Sequence, residues 1–401
     1  MIATVKVIQI NAVYGISSTG AILKDICSYL KNCGEQVAIA TQRTNIDADD
    51  LYIVGNTLDW KYHALHSRIF GKQGYASKGA TQKLIKWMEK EKPDIVHLHN
   101  LHSNYINFNM LCDYLAKNDI ATVITMHDCW YFTGKCSHFV HTNCDRWQKS
   151  CGNCSQLKRE VPSLFCDATE KVLVDRTSHL LKIKNLTLVG CSKWIAEQAE
   201  KSRLKSVRTE VVYNGVDTQV FKPHENDFRQ KHNIGDKFVI LGMANKWTEL
   251  VNKKTVDAII ENNPDAAIVV VGCKDEQRAI FEGKNNVIPV GFVSDRNELS
   301  DIYASADVFV NLTRADTLPT VNMESVCCGT PVVTFDSCGS PELVDEDSGF
   351  VVAQDDVDGL IEAINKVKNG ECRFDALTKH AKFDKNTCYG KYYDIFKSVL
   401  E

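Results

Sequence analysis

Two carboxylates eight residues apart, Asp316 and Glu324, bracket the stretch of this chain best equipped for chemistry. Between them, Leu318-Pro319-Thr320-Val321 reads as a helix opening, where the first amides have no partner inside the helix and a proline costs nothing. Such an opening carries partial positive charge and attracts phosphate. A carboxylate further into the helix, Glu324, can accept both hydroxyls of a ribose, while Asp316 would sit at the mouth of the preceding strand. Together these groups suit the capture of a nucleotide diphosphate.

Other residues stand at comparable places. His127 follows the apolar run Thr122–Thr125, where it can donate to a sugar hydroxyl or a phosphate oxygen, or be satisfied by local backbone. Gly15 lies in a small-residue loop, Tyr14 to Gly20, after the first strand; the loop gives either a ligand or the next helix room to approach. His97, His99 and His102 crowd one strand end without an evident carboxylate ligand and read as structural. Sixteen cysteines are many for one chain of 401 residues, and six fall between Cys129 and Cys166. Four of these, Cys136, Cys144, Cys151 and Cys154, end in a C-x-x-C knuckle. In a reducing compartment that pattern suits a structural zinc site filled by protein ligands, with free thiols or two disulfides as the alternatives.

The elements that must position these residues alternate in type. Short apolar strands are expected at Val5–Ile10, Gln36–Ala40, Ile95–Leu98, Thr122–Thr125, Leu186–Val189 and Val211–Tyr213. A second set covers Phe238–Leu241, Ala267–Val271, Val287–Val290, Val308–Leu312, Val332–Phe335 and Phe350–Val352. Continuous apolar runs of this length are buried on both faces, as in parallel sheets. Patterned helices separate them, for example Ile22, Ile26 and Leu30 on one face. The stretch from Asp47 to Gly79 reads as polar and irregular, either an acceptor-binding excursion or a surface loop. The fold class is therefore α/β, with two Rossmann-like domains. The expected boundaries are 1–213, including the cysteine-rich loop 129–166, then 214–385, and a terminal helix 386–401.

The order acid, seven residues, Glu324, then Cys328-Gly329-Thr330-Pro331-Val332-Val333 resembles the paired-acid signature of retaining glycosyltransferases of family 4, the group 1 enzymes. Asp316-Thr317-Leu318-Pro319-Thr320-Val321-Asn322-Met323-Glu324 is closest to a bacterial exopolysaccharide, colanic-acid-type subgroup. Pro93 to Asn100 (PDIVHLHN), Met126 to Gly134 (MHDCWYFTG) and Asn214-Gly215-Val216-Asp217 with Phe221-Lys222-Pro223 match the same family in order. The resemblance implies a GT-B architecture, two facing Rossmann-like domains with an interdomain cleft, the last helix crossing back to the first domain. It implies a UDP- or GDP-sugar donor and transfer to a glycan hydroxyl with retention. It further implies roles: Asp316 for the donor sugar, Glu324 for the ribose, and His127 for the sugar or acceptor. Lys254, with Lys253 as alternate, and the amides of Leu318 to Val321 would hold the diphosphate; Gly291 would lie near the base, and Gly15 would face the crevice. This chain departs from the family in having Asp for the usual first Glu and Thr255 for the glycine after the lysine. An epimerase or hydrolase of the same architecture, or a catalytically degenerate scaffold, are the competing readings.

Composition limits the remaining classes. A net charge of −4 leaves no nucleic-acid footprint. No run approaches the ~18 apolar residues of a membrane span, and the first residues alternate like a strand rather than a secretory signal. A cytoplasmic protein is expected, with a polyprenyl-diphosphate-linked acceptor and peripheral membrane contact implied by the resemblance alone. Asp47-Ala48-Asp49 is far from the phosphate residues, so no catalytic divalent ion is expected.

Overall fold

The computed structural model describes residues 4–401. They form two compact units: one runs to Asn214 and takes in Cys388–Glu401, and the other is Gly215–Thr387. The first unit holds a seven-stranded parallel sheet in the order β3-β2-β1-β4-β5-β6-β7. Its strands are β1 (Lys6–Tyr14), β2 (Gln36–Thr44), β3 (Leu51–Ile53), β4 (Ile95–Leu98), β5 (Ala121–Met126), β6 (Leu186–Gly190) and β7 (Arg208–Val211). The second holds six parallel strands in the order β10-β9-β8-β11-β12-β13. These are β8 (Val239–Met243), β9 (Ala267–Val271), β10 (Val287–Val290), β11 (Val308–Asn311), β12 (Val332–Phe335) and β13 (Gly349–Val352).

Both sheets are doubly wound, and each reverses its strand order once: between β1 and β4 in the first unit, between β8 and β11 in the second. At a reversal the flanking loops diverge and leave a crevice beyond the carboxyl ends of the strands. The loops after β1, β4, β8 and β11 are therefore the places to look for ligands.

The cores follow from the apolar runs. In the second unit Ile240, Ile268, Val270, Val308, Val310, Val333 and Phe335 pack with Val256, Ile259 and Leu360 from the helices. In the first, Val7, Ile39, Ile95 and Val123 pack with Leu23, Ile26 and Leu30. Tyr389, Tyr392 and Phe396, from the helix Lys385–Ser398, complete that same core.

Three expectations need correction. The stretch 47–79 is not irregular: it carries β3 and a helix, Thr57–Phe70, opened by an Asn56 capping box with Asp59. The first strand runs on to Tyr14, and Ser17–Gly20 is the first turn of helix Ser17–Asn32 rather than loop. The last strand of the first unit is Arg208–Val211, some three residues earlier than its apolar run.

Candidate functional site

In the second unit β11 ends in a loop whose residues turn inward. Asn311 accepts the Thr313 amide (3.0 Å) and donates to Asn322 Oδ1 (2.7 Å), fixing the loop against the following helix. Asp316 accepts the Leu318 amide at 3.1 Å. The helix is Thr320–Cys327, with Pro319 at its N-cap and no side-chain hydrogen bond capping its first amides. The expected opening at Leu318-Pro319 thus lies one turn-position earlier than the observed start.

Glu324 lies just over one turn into that helix. It receives the Tyr303 hydroxyl on Oε2 at 3.3 Å, and Tyr303 itself is wholly buried. Burial raises the Glu324 carboxyl above its ordinary value; the charge of Arg296 and the Tyr303 hydrogen bond oppose that shift without cancelling it. A carboxylate held this way is short of donors, and a pair of ligand hydroxyls would supply them.

In the loop after β11, in this helix and in the loop after β12, several polar atoms are buried without a partner among the described residues: Thr313 Oγ1, Thr317 Oγ1, Asn322 Nδ2 and Ser340 Oγ. Each such group costs free energy until something hydrogen-bonds to it. Ser340 belongs to the loop after β12, which folds onto Asp316 through the Gly339 amide (3.2 Å to the Asp316 carbonyl). In the same loop burial pushes the Cys338 thiol up to about 11.

The lysine pair comes from the other side of the reversal. Trp247, after β8, donates from Nε1 to the Val310 carbonyl (2.9 Å), and its ring lies flat against Gly242, where a Cβ would meet Cε2 at 2.0 Å. Asn252, fully buried, donates to the carbonyls of Lys246 and Leu312, both at 3.0 Å. The loop after β8 is thereby clamped to the exit of β11. Lys253 and Lys254 follow that loop and open the helix Lys253–Asn262. Two cations in a first turn oppose the helix dipole, a placement that favours an anion in front of them. Lys253 is paired with Asp257 at 2.5 Å; Lys254 is exposed and forms no ion pair among the described residues. Gly291 follows β10 beside Arg278, and Phe292 next to it is 85% exposed.

In the first unit the loop after β1 turns at Gly15, with φ +71°, where a Cβ would strike Ile46 Cδ1 at 2.2 Å. A side chain is excluded there on both counts. His127 caps the exit of β5 and hydrogen-bonds through Nε2 to His99 Nδ1 at 2.9 Å; His99 Nε2 meets Gln9 Oε1 at 3.1 Å. An oxygen on Gln9 makes His99 Nε2 the N–H, so His99 Nδ1 accepts the proton of His127 Nε2. His127 is left with a lone pair on Nδ1, an acceptor for a hydroxyl, whereas the sequence reading made it a donor. Burial holds it down at about 4, with Asp128 opposing and His102 reinforcing the shift, so it is neutral at pH 7. Beside it His102 and Asp128 form an ion pair at 2.8 Å. Burial alone would lower His102, and the Asp128 carboxylate turns that shift upward. His97 bonds to Thr125 (2.8 Å), which bonds in turn to Tyr392 (2.8 Å). A cavity of about 270 Å³ opens nearby, lined in part by Arg43, Trp60, Arg68, His102 and Glu160.

Both halves of the chain match models of known families: residues 20–157 that of Glycosyltransferase Family 4, and residues 235–369 that of Glycosyl transferases group 1. The chain belongs to the group 1 glycosyltransferases. Among curated relatives of this group 1 chain is WcaC of Escherichia coli K12, named for colanic acid biosynthesis, 22% identical over 67% of the chain and 66% of WcaC. An alpha-1,3-galactosyltransferase of Escherichia coli, named for UDP-Gal and alpha-D-GlcNAc-diphosphoundecaprenol, is 28% identical over 71% of the chain and 68% of its own length. A GDP-mannose-dependent mannosyltransferase of Mycobacterium tuberculosis H37Ra is 28% identical over 41% of the chain. The chain spans 66% and 45% of the lengths of WcaC and the mycobacterial enzyme. Sucrose-phosphate synthase from Thermosynechococcus elongatus superposes with a TM-score of 0.71 at 15% identity over 99% of both chains. Anabaena HepE, solved with UDP and glucose, gives 0.65 at 16% identity over 98% of this chain and all of the other. The fold of this group 1 chain is GT-B, built from two Rossmann-like units.

The sequence pointed to Asp316, Glu324 and the amides of Leu318 to Val321, which lie on one loop and helix start. It did not single out Tyr303, nor the buried polar set of Thr313, Thr317, Asn322 and Ser340. Gln9 and His99 were likewise missed as the groups that orient His127. A buried polar side chain inside an otherwise apolar strand, as at Gln9, was the available signal.

Proposed function

We propose that this chain transfers a sugar from a UDP- or GDP-sugar to the hydroxyl of a glycan, with retention at the anomeric carbon. One observation carries this reading: Glu324, half-buried and with Tyr303 as its donor, stands behind an uncapped helix start at the reversal of the second sheet, in a unit whose loops hold orphaned hydroxyls. Glu324 takes the ribose hydroxyls. The free amides near Thr320 and Val321 and the amine of Lys254 hold the diphosphate and stabilise the charge that grows on it as the sugar leaves. Asp316 orients the donor sugar, and His127 accepts a hydrogen bond from a sugar or acceptor hydroxyl. Gly15 leaves room for that sugar, and Gly291 with Phe292 borders the base.

The bond from the anomeric carbon to the diphosphate oxygen breaks, and the acceptor oxygen bonds to the same face. The acceptor proton passes to the departing diphosphate. Nothing in this scheme asks for the nucleophilic carboxylate of a retaining glycosidase. The names of WcaC and of the undecaprenol-linked galactosyltransferase support a role in surface polysaccharide assembly and a polyprenyl-diphosphate-linked acceptor. No helix among the described residues is long and apolar enough to cross a membrane, so contact with such an acceptor would be peripheral. The cavity beside His102 and Trp60 is a candidate for the acceptor.

The test is a thermal-shift panel of UDP-, GDP- and ADP-sugars, since a ligand that binds only the folded state must stabilise it. One nucleotide class should raise the melting temperature, and Glu324→Ala should abolish the rise while Glu324→Asp weakens it. Product made with the active donor should keep the donor's anomeric configuration by NMR. Turnover of the donor at full rate without acceptor, or an unchanged shift in Glu324→Ala, would refute the reading.

A further inference from the structure

The connection from β5 to the helix Thr169–Leu180 is long and has almost no regular structure, only the turns Cys129–Phe132, Val140–Thr142 and Arg146–Gln148. Cys129 to Phe132 are buried at its start, but beyond Thr133 its buried apolar content is Trp147 alone, packed against Phe132 and Phe139 with ring centres 5.2 and 4.7 Å away. That is little burial to order the 35 residues from Gly134 to Ala168, each of which costs on the order of 1–2 kcal/mol of backbone entropy. Something else must hold this segment.

Four thiols face one cavity within it, of about 330 Å³: Cys136, Cys144, Cys151 and Cys154. None is in a disulfide. Cys136 and Cys154 share a hydrogen bond. The Gly134 amide donates to Cys151 and the Gln156 amide to Cys154, an arrangement that suits sulfur carrying negative charge. Gly152 (φ +117°) and Asn153 (φ +47°) make the tight left-handed turn that brings Cys151 and Cys154 to the same wall. As they stand, no three His, Cys, Asp or Glu side chains among the described residues converge closely enough to hold an ion. Holding an ion would require the four side chains to draw closer together than they stand here.

Charge points the same way. Lys135, 6% exposed, lines the cavity and gives its amine to the carbonyls of Gln156, Leu157 and Arg159 at 2.8, 3.2 and 2.7 Å. Arg176, 2% exposed, stacks 3.5 Å over Trp130 and donates to the carbonyls of Trp130 and Thr133, with Nη2 left unpartnered. Neither cation forms an ion pair with a carboxylate among the described residues. Glu160 and Asp167 act on Lys135, and Asp128 on Arg176, only from a distance, and a buried cation without a direct partner is costly. A divalent ion bound by four thiolates carries two net negative charges and would balance both.

We propose that Cys136, Cys144, Cys151 and Cys154 bind one zinc ion as a structural site that fastens this segment. Binding replaces four S–H bonds by four S–Zn bonds and releases four protons. The bound ion leaves no open position for substrate. The segment also carries the backbone that positions His127 and Asp128: Cys129 donates its amide to the Ser137 carbonyl (2.8 Å), and Arg176 clasps Trp130 and Thr133. The proposal does not depend on the sugar-transfer reading.

The experiment is elemental analysis of the untagged full chain, purified under reducing conditions and dialysed against metal-free buffer. About one equivalent of zinc per chain is expected, released when a mercurial titrates the thiols and scored with a colorimetric chelator. Native protein should show four more reactive thiols after chelation than before. The double variant Cys151→Ser/Cys154→Ser should hold less than a tenth of the zinc, and Cys166→Ser, exposed in the same segment, should keep it all. If the double variant does not fold, the thiol count on the natural chain still decides. Absence of zinc after incubation with zinc chloride, equal thiol reactivity with and without chelator, or a Cys136–Cys154 disulfide in freshly isolated protein would overturn the proposal.

Discussion

Lowering the pH from 8 to 5 should leave His127 uncharged. An unperturbed imidazole at about 6.5 would be about 97% protonated at pH 5, whereas one held at about 4 is only about 9% protonated. The cause is burial, reinforced by the charge of His102 and opposed by Asp128; the ring stacked on it, His99, is itself kept neutral by burial. A proton added to His127 Nδ1 would put a charge where the neighbouring histidines offer no compensation, and Asp128 is already engaged with His102. The direct assay is a histidine NMR titration of the natural chain, with His127→Asn to assign the resonance. Its midpoint should fall near 4. The kinetic counterpart is kcat/KM for the best donor against pH. Any acid limb seen in the natural chain should persist in His127→Asn, because another group causes it. A midpoint between 6 and 7 for the His127 resonance, or an acid limb near 6.5 that vanishes in His127→Asn, would refute the reasoning.

The remaining predictions concern stability and the anion site. His63 accepts the Gly74 amide on Nε2 (3.0 Å), so its own proton lies on Nδ1 toward Ser77 (2.8 Å) and a second proton must break a bond. Its value is lowered to about 4, so below about 6.5 the unfolded chain binds the proton first, and stability present above that pH is lost as pH falls toward 4. At pH 5 the loss is about 2 kcal/mol, some 4 to 8 °C in Tm. The fall in Tm from pH 7.5 to 5 should therefore be smaller by that amount in His63→Gln, and equal falls would count against the assignment. Lys254→Ala should weaken nucleotide-diphosphate binding about tenfold by calorimetry, whereas Lys253→Ala, whose amine Asp257 already holds, should stay within about twofold. Equal losses would undo the distinction between the two lysines. Gly242→Ala drives a methyl into the Trp247 ring and should cost about 3 kcal/mol in urea unfolding, with Trp247 fluorescence altered. A loss under about 0.5 kcal/mol would mean that the ring moves aside freely.

Much of this was legible in the chain. The strands of the second unit were found within a residue or two because strands buried on both faces are uninterrupted apolar runs, and β9, β10 and β12 coincide with theirs. That Asp316, the helix opening and Glu324 lie on one loop and helix start was legible because an apolar strand, a polar loop, a proline and a closing glycine delimit that helix. The helix Thr57–Phe70 was not, because its pattern is inverted. His63, Ala64 and Ser67 face inward, while Leu58, Tyr62 and Leu65 are 75%, 63% and 58% exposed. Apolar periodicity looks for the opposite arrangement. The start of a helix at the lysine pair was not legible, because the short turns before it, Ala244–Trp247 and Leu250–Asn252, are held by Trp247 and Asn252 reaching across to the end of β11 and its exit. Sequence spacing carries no trace of such a clamp. Tyr303 shows the limit of burial patterns, since apolar periodicity carries nothing about the direction of a hydroxyl.

The route of the chain sets an order of assembly. Gly215–Thr387 is one uninterrupted stretch, so everything its sheet needs has been synthesised once residue 387 leaves the ribosome. The other unit begins first yet finishes last. Tyr389, Tyr392 and Phe396, at most 2% exposed, fill its interior from the final fourteen residues. A nascent chain stopped near residue 387 would hold a finished second sheet beside a first one still missing three large aromatic side chains. Loss of the last turns of the polypeptide should therefore damage the half that was translated earliest.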